Sequence, residues 1–348
     1  MTPSTYTTPK NREGYNIIQP HLTINCYLQH HSDSSDFIAL KQFLATAIEE
    51  KYSVLHFPGQ ETSHNDNFKE LLKFTNTAGY YNSVTTDGIL QNLEQNQEIL
   101  QYVNLVTLRL DGKKEEHNYI RNNPAAFDQT LGVLEVLKSQ KVQFGIIHHL
   151  HNEPKNTLKW ICDFAKEHKA KMVQLVPVDK SGAKTIYHHM ELSDELRHKF
   201  FVLYHFYKLK HQDDFDLQLD LLHRNIVLQY PQLAYQYVYE DICDSNFYRE
   251  LIIDEEGFVL PVANGFPRRL ALGNIYEYIS LKEMMSRYHA EKLQQLKNIY
   301  LKVYQNIVDN PDNLLFNYPQ LVLNESRRIE EVDTAHTDNV MHYNYGVC

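Results

Sequence analysis

Two clusters of side chains in this 348-residue chain have types and spacing that could do chemistry. The first lies in HLTINCYLQHHSDSSDF, residues 21–37, where His30, His31 and Asp33 crowd a polar stretch behind an apolar one. Imidazole and carboxylate both ligate zinc and iron, which makes His30 a candidate ligand. The second is HHLH, residues 148–151. On an extended chain His149 and His151 point to the same side and could chelate together, but no carboxylate adjoins them at ligand spacing. Adjacent polar residues in a loop are more often simply solvated, so the expectation is no bound metal and no metal cofactor. The four cysteines, Cys26, Cys162, Cys243 and Cys348, are far apart and form no CxxC pair. The segment DDFDLQLD (213–220) lacks the glycine and distal glutamate of a calcium loop and reads as an acid-rich helix start. The chain holds no HExxH, Walker loop, GxSxG or GxGxxG.

The elements that must position these residues alternate. LTINCYL (22–28), SVLHF (53–57), YYNSVTT (80–86), VNLVTLRL (103–110), VQFGII (142–147) and KMVQLVPV (171–178) are strand-like. Between them lie runs with apolar residues at helical spacing, such as FIALKQFLATAIEEKY (37–52), NFKELLKFTNTAG (67–79, ending at Gly79) and AAFDQTLGVLEVLKSQ (125–140). Strict alternation with apolar strands predicts an α/β fold with a parallel sheet covered by helices. Periodicity alone leaves open whether it is a doubly wound sheet or a partial barrel. After residue 185 or so the pattern changes. A long helix is expected over 191–210 and another over DFDLQLDLLHRNIVLQYP. A hairpin is expected at YRELIIDEEGFVLPV (248–262), turning at Asp254–Gly257, and one long helix with a Ser N-cap over 280–308.

Composition bounds the function. Hydrophobic residues make up 43% and charged residues 22%, an ordinary globular balance, and tyrosine (24) outnumbers glycine and proline (12 each). A net charge of −10 argues against a nucleic-acid partner, because that affinity rests on Lys/Arg neutralising phosphates. No apolar run is long enough to span a bilayer, and no apolar h-region opens the chain. The expectation is a cytoplasmic protein with reduced thiols and no membrane partner.

The order of motifs resembles the radical SAM superfamily, in particular peptide-modifying enzymes with a C-terminal SPASM domain, from about residue 21 to 292. LHFPGQETSHNDNFKELLKF (55–74) places Gly59-Gln60-Glu61-Thr62 where the family's GGEP turn belongs. SVTTDG (83–88) places Thr86 and Asp87 at the ribose contact. LRLDG (108–112) is followed by HNYIR (117–121), similar to the family's S-L-D-G and its His/Arg pair. CDSNFYRELIIDEEGFVLPV followed by LGNIYEYISLKEMM resembles the SPASM pattern. The resemblance implies a partial (β/α)6 TIM-type barrel over 21–185, after an N-terminal arm (1–20). A helical bridge (186–240), a degenerate SPASM-like hairpin with helices (241–310) and a C-terminal tail (311–348) would follow.

Its cysteine positions are vacant. Aligned on the first strand, His30, Ser34 and Phe37 stand in the three cluster places, and Val262 stands where a SPASM cysteine belongs. An iron–sulfur cluster needs thiolates held together, and without one no electron reaches SAM. The expectation is a pseudoenzyme with no cofactor, leaning away from catalysis. Gly59, Gln60, Glu61, Thr62, Thr86 and Asp87 would form a remnant SAM pocket. Its partners would be a precursor peptide, an active radical SAM maturase, or both, in ribosomal-peptide maturation. The alternative is a metal- or SAM-dependent enzyme of non-radical type using the emptied pocket.

Overall fold

A computed structural model describes residues 22–27, 34–58, 66–86, 97–152, 157–178, 192–231 and 248–328. Strand and helix alternate from the first described residue: β1 (Leu22–Cys26), α1 (Ser34–Ala47), β2 (Tyr52–Phe57), α2 (Asp66–Ala78), β3 (Tyr81–Thr86), α3 (Gln97–Leu100), β4 (Leu105–Arg109), α4 (Lys114–Ile120), α5 (Ala126–Ser139), β5 (Gln143–Leu150), α6 (Thr157–His168) and β6 (Met172–Pro177). β1 to β6 pair in parallel, in chain order, so the α/β expectation holds. Strands that always advance in one direction through right-handed crossovers place their helices on one face of the sheet. That face is apolar: Ile24, Leu55, Val106, Leu108, Ile146, Val173 and Leu175 are buried in one core with Leu40, Leu44, Leu71, Leu72, Leu134, Leu137 and Ile161 of the helices. Each such leucine or isoleucine contributes roughly 2 kcal/mol by leaving water.

Local chemistry sets the element ends. At the end of α2, Gly79 takes φ +96°. The Tyr80 N–H then donates to the Thr75 carbonyl at 2.9 Å and the Gly79 N–H to the Asn76 carbonyl at 3.1 Å, closing the helix at a left-handed glycine. The hairpin strands β9 (Glu250–Ile253) and β10 (Phe258–Pro261) turn at the expected place. Asp254 Oδ1 accepts from the backbone N–H groups of Glu256 and Phe258 at 3.0 and 2.9 Å. Its Oδ2 accepts from Arg268 Nε at 2.7 Å, and the guanidinium of Arg268 lies over the Phe258 ring.

Three expectations need correction after residue 191. Within the supposed second helix, Asp216–Leu219 is a strand, β7, parallel to β6, because DLQLD alternates with period two and seats Leu217 in the core. The acid-rich helix start expected at 213–220 is therefore absent. Only Arg224–Gln229 (α8) is helical there, after the short strand β8 (Leu222–His223), which pairs with β12 (Leu315–Phe316). The long helix over 280–308 is two helices, α9 (Leu281–Glu291) and α10 (Leu293–Asp309), broken at Lys292, whose φ of −125° leaves the helical range. The Ser280 cap is present, its Oγ accepting from the Glu283 N–H at 3.2 Å. The helix α7 (Asp194–Lys210) is as expected and is capped by Ser193.

The hairpin does not stand apart from the parallel sheet. β9 pairs in parallel with β1, and β11 (Gly273–Asn274) pairs with β10. The sheet thus runs β11-β10-β9-β1-β2-β3-β4-β5-β6-β7. Its two end strands are not hydrogen-bonded to each other, so it is an open sheet and not a closed barrel. Among the described residues no helix is long and apolar enough to cross a membrane.

Candidate functional site

The face of the sheet opposite the helices carries a row of polar residues among apolar ones such as Val54, Ile147 and Met172. Alternation along each strand turns Thr23 and Asn25 of β1, His56 of β2, Ser83 and Thr85 of β3, Thr107 and Arg109 of β4, His149 of β5 and Gln174 of β6 to that side. Asp220, just beyond β7, and Glu250 of β9 complete the row from its two ends. Thr85 and Thr107 are only 2% and 4% exposed, although no helix of the crossovers covers them. Asn25, His56, Thr85, Arg109 and His149 lie at or next to the carboxyl ends of the parallel strands. That is where sites form in folds of this kind.

The row is wired by hydrogen bonds. His56 contacts Ser83 Oγ through Nδ1 at 3.1 Å and Thr85 Oγ1 through Nε2 at 3.0 Å. Thr85 and Thr107 share a hydroxyl hydrogen bond at 2.6 Å. Burial, then the charge of Arg109, pulls the His56 imidazole down to about 4. At the other end, Gln174 Nε2 donates to Asp220 at 3.0 Å, while Asn25 Nδ2 donates to Glu250. Burial pushes the Asp220 carboxyl up to about 6. Burial also raises Glu250, and the charge of Asp220 adds to the shift.

Behind His149 stands a buried hub. His149 Nδ1 donates to Asp111 Oδ1 at 2.8 Å, and Arg121 Nε donates to Asp111 Oδ2 at 2.7 Å. The Asp111 N–H donates to His117 Nδ1 at 3.1 Å. Burial pushes the Asp111 carboxyl up, but the His149 hydrogen bond and the charges of Arg121, His149 and His117 outweigh it and hold it well below the usual carboxylate range. The carboxylate fixes Nδ1 as the proton-bearing nitrogen of His149 and sets the ring's orientation. LRLDG followed by HNYIR, legible as a motif, is therefore the clamp that ties β4, α4 and β5 together.

The expected site residues divide. His30, Gly59, Gln60, Glu61, Thr62 and Asp87 lie outside the described residues, as do Cys243 and Cys348. Thr86 is buried at the end of β3, alternating with the inward-facing Ser83 and Thr85. His149 is in the row, whereas His151 is buried with its Nε2 3.5 Å from Glu116 Oε1. Among the described residues no three His, Cys, Asp or Glu come together as a metal site. Ser34 opens α1, and Phe37, on its first turn, is buried in the hydrophobic core. Val262 follows β10 with φ +81°, a left-handed conformation that costs a β-branched residue about 1–3 kcal/mol. Cys26 and Cys162 are buried among the core residues of the helix-covered side. Burial pushes the Cys26 thiol far up and the Cys162 thiol to about 12, so neither is a thiolate.

Solved structures share this fold. SuiB of Streptococcus suis superposes with a TM-score of 0.53 at 14% identity, over 77% of this chain and 66% of its own. The chain thus spans just under two thirds of SuiB's length. SuiB bound to the precursor peptide SuiA gives 0.51 at 14% identity, over 71% and 60%. The protein anSMEcpe with bound AdoMet and Cp18Cys peptide gives 0.56 at 16% identity, over 92% of this chain and 99% of that one. At such identity the likeness is one of fold. No protein-family model and no curated protein matches the sequence.

Proposed function

We propose that this chain is a radical SAM/SPASM-like protein that holds no iron–sulfur cluster and binds a peptide, acting as an accessory to peptide maturation and not as its catalyst. The observation that carries this reading is Phe37. It occupies the third cysteine place of the resemblance and its ring is sunk in the core beside Leu40 and Phe43, 4% exposed. A cluster needs thiolates gathered at one point. Two of the chain's four cysteines are buried thiols on the helix-covered side, leaving Cys243 and Cys348. The donor set does not fit the cluster, and no radical step is derived through it. Gly59, Gln60, Glu61, Thr62, Thr86 and Asp87 remain as the SAM-like turn residues, without the iron that would anchor the methionine end. Support for a peptide ligand comes from SuiA bound to SuiB and Cp18Cys bound to anSMEcpe, on the same fold. The polar row from Asn25 to Asp220 offers donors and acceptors for an extended backbone.

The test is anaerobic reconstitution with iron and sulfide, followed by metal and sulfide analysis and calorimetric titration of SAM. Less than one iron per chain and no heat from SAM is the expected result. Iron and sulfide near four per chain with SAM binding would overturn the reading. Stoichiometric zinc instead would favour a non-radical metalloenzyme.

A related prediction concerns reversion. Restoring the third cysteine by Phe37→Cys removes most of a buried ring and leaves a cavity, so it lowers stability by about 2–3 kcal/mol. A shift in the urea midpoint with unchanged slope would report it. A variant as stable as the parent would mean that Phe37 does not pack as described.

A further inference from the structure

The sheet ends in an open edge at β7. The Asp216 N–H donates to the Lys171 carbonyl and the Asp220 N–H to the Leu175 carbonyl, both at 3.0 Å. In a parallel ladder the residues that bond to one neighbour alternate with those that point away from it. Asp216, Gln218 and Asp220 therefore bond to β6, and Leu217 and Leu219 turn their N–H and carbonyl groups outward. Among the described residues no strand pairs on that side, and no hydrogen bond reaches those four groups. Asp216 and Gln218 are exposed, so the edge is open to solvent. Donors and acceptors at two-residue spacing are matched in full by another extended backbone.

The side chains say what that backbone carries. The register with β6 puts Gln218 opposite Gln174, so Asp216, Gln218 and Asp220 share the face of the polar row. Leu217 lies on the other side, in the helix-covered core. Gln218 Nε2 donates to Asp216 Oδ2 at 2.6 Å and Gln174 Nε2 to Asp220 Oδ2 at 3.0 Å. Both partners are neutral amides. Asp214, by contrast, is held by Lys166 and His211. Among the described residues no cation pairs with Asp216 or Asp220. His149 acts on Asp220 at a distance, its Nδ1 proton being held by Asp111. A strand laid along β7 thus sets alternate side chains beside two carboxylates and the others beside Leu217 and Leu219. Opposite charges across a ladder stabilise it and like charges oppose it. A second copy of β7 fits less well, because an antiparallel pair would face aspartates with aspartates.

We propose that the outer edge of β7 takes an extended peptide segment in which basic and apolar residues alternate. The segment adds as a strand, its backbone bonded to Leu217 and Leu219 and its lysines or arginines beside Asp216 and Asp220. This rests on the reading that the chain binds a peptide, and it names the kind of segment and the place.

The experiment uses the full chain and fluorescein-labelled ten-residue peptides, one alternating lysine with valine and one alternating glutamate with valine. Anisotropy titrations at low salt should show the lysine peptide binding about tenfold tighter or more. Asp216→Lys, at an exposed position and checked for fold by circular dichroism, should weaken it by about tenfold. Backbone N-methylation tests the strand itself. In an antiparallel strand the valines bond to β7, and in a parallel one the lysines do. Methylating one set should therefore weaken binding by about a hundredfold, and methylating the other should leave it nearly unchanged. Deuterium exchange should show residues 215–221 protected by the lysine peptide. Equal binding of the lysine and glutamate peptides, or equal effects of the two methyl sets, would overturn the proposal. Binding that ignores both the methyl groups and Asp216→Lys would place the peptide elsewhere, overturning the edge while the peptide reading stands. Protection of 215–221 already complete without peptide would mean that the chain fills its own edge, and would overturn it too. No binding of any peptide also overturns it, while the iron and SAM test judges the cluster reading separately.

Discussion

Asp111→Ala is expected to destabilise the protein by about 3–5 kcal/mol at pH 7, the range for breaking a buried ion pair from one side. Asp111 is fully buried. Its two oxygens accept from Arg121 and His149, at 2.7 and 2.8 Å. Truncation leaves the Arg121 guanidinium without its counter-charge and His149 without the bond that orients it. The loss reaches three elements at once: the loop after β4, helix α4 and the end of β5. Asp111→Asn keeps the shape and one acceptor but not the charge, and should cost clearly less, about 2 kcal/mol. Urea unfolding at fixed pH measures both. A shift below 1 kcal/mol for the alanine variant would mean that the hub is not what joins these elements. A double-mutant cycle with Arg121→Ala should show strong coupling, because the two groups share one interaction.

That hub was legible in the sequence only as a spacing. LRLDG and HNYIR stand out as a motif, but that His149, some 38 positions further on, shares the same carboxylate is a consequence of the β4–β5 register, Arg109 opposite Ile147. The parallel sheet was legible because six apolar strand-like runs alternate with five amphipathic ones, and the hairpin because Asp254 to Gly257 has turn chemistry. β7 was not, because the four aspartates of DDFDLQLD (213–220) read as a helix start, while the period-two placement of Leu217 and Leu219 outweighed them. The break at Lys292 was not, because nothing local forbids a helix there and no proline or glycine marks it. The polar row was missed for a different reason. Its members come from seven strands and the residue after β7, spread from Thr23 to Glu250, and only the sheet brings them side by side. A signal was available in His56, in Ser83 and Thr85, in Thr107 and Arg109, and in Gln174. In β4 and β6 the polar Thr107, Arg109 and Gln174 alternate with Val106, Leu108, Val173 and Leu175, which is a poor pattern for a sheet covered on both faces. The loops that follow β1, β2 and β3, where the resemblance put Gly59 to Thr62 and Asp87, lie outside the described residues.

The buried imidazoles make the fold labile to mild acid, and the sign follows from which state takes the proton. His56 and His148 are both pulled down to about 4. For each, burial is the leading cause. Arg109 adds to it at His56. At His148 the Nδ1–H donated to the Leu110 carbonyl, at 2.6 Å, and the Asp111 charge oppose it, with His151 and His149 reinforcing the fall. In the unfolded chain both titrate near 6.5. Between pH 6.5 and 4 the unfolded state therefore binds more protons, and stability falls as pH falls. Above 6.5 their contribution is fully present, and below 4 no more is lost through them. From pH 7 to pH 5 each contributes a loss of about 2 kcal/mol. Asp220 works the other way. Raised to about 6, it favours the folded state below its unfolded value near 3.8, and that contribution is lost as pH rises through 6. It is only partly buried, so solvent reduces its effect to about 1 kcal/mol. Asp111, held low, begins to matter only below about pH 4. The net expectation is a loss of about 3 kcal/mol between pH 7 and pH 5. Urea midpoints at the two pH values measure it. His56→Gln, whose amide can still bond Ser83 and Thr85, should remove about half of the histidine share while changing stability little at pH 7. A stability that is flat or rises from pH 7 to pH 5 would mean that His56 and His148 are protonated in the folded state, and that the polar row beside Arg109 admits far more water than its buried threonines imply.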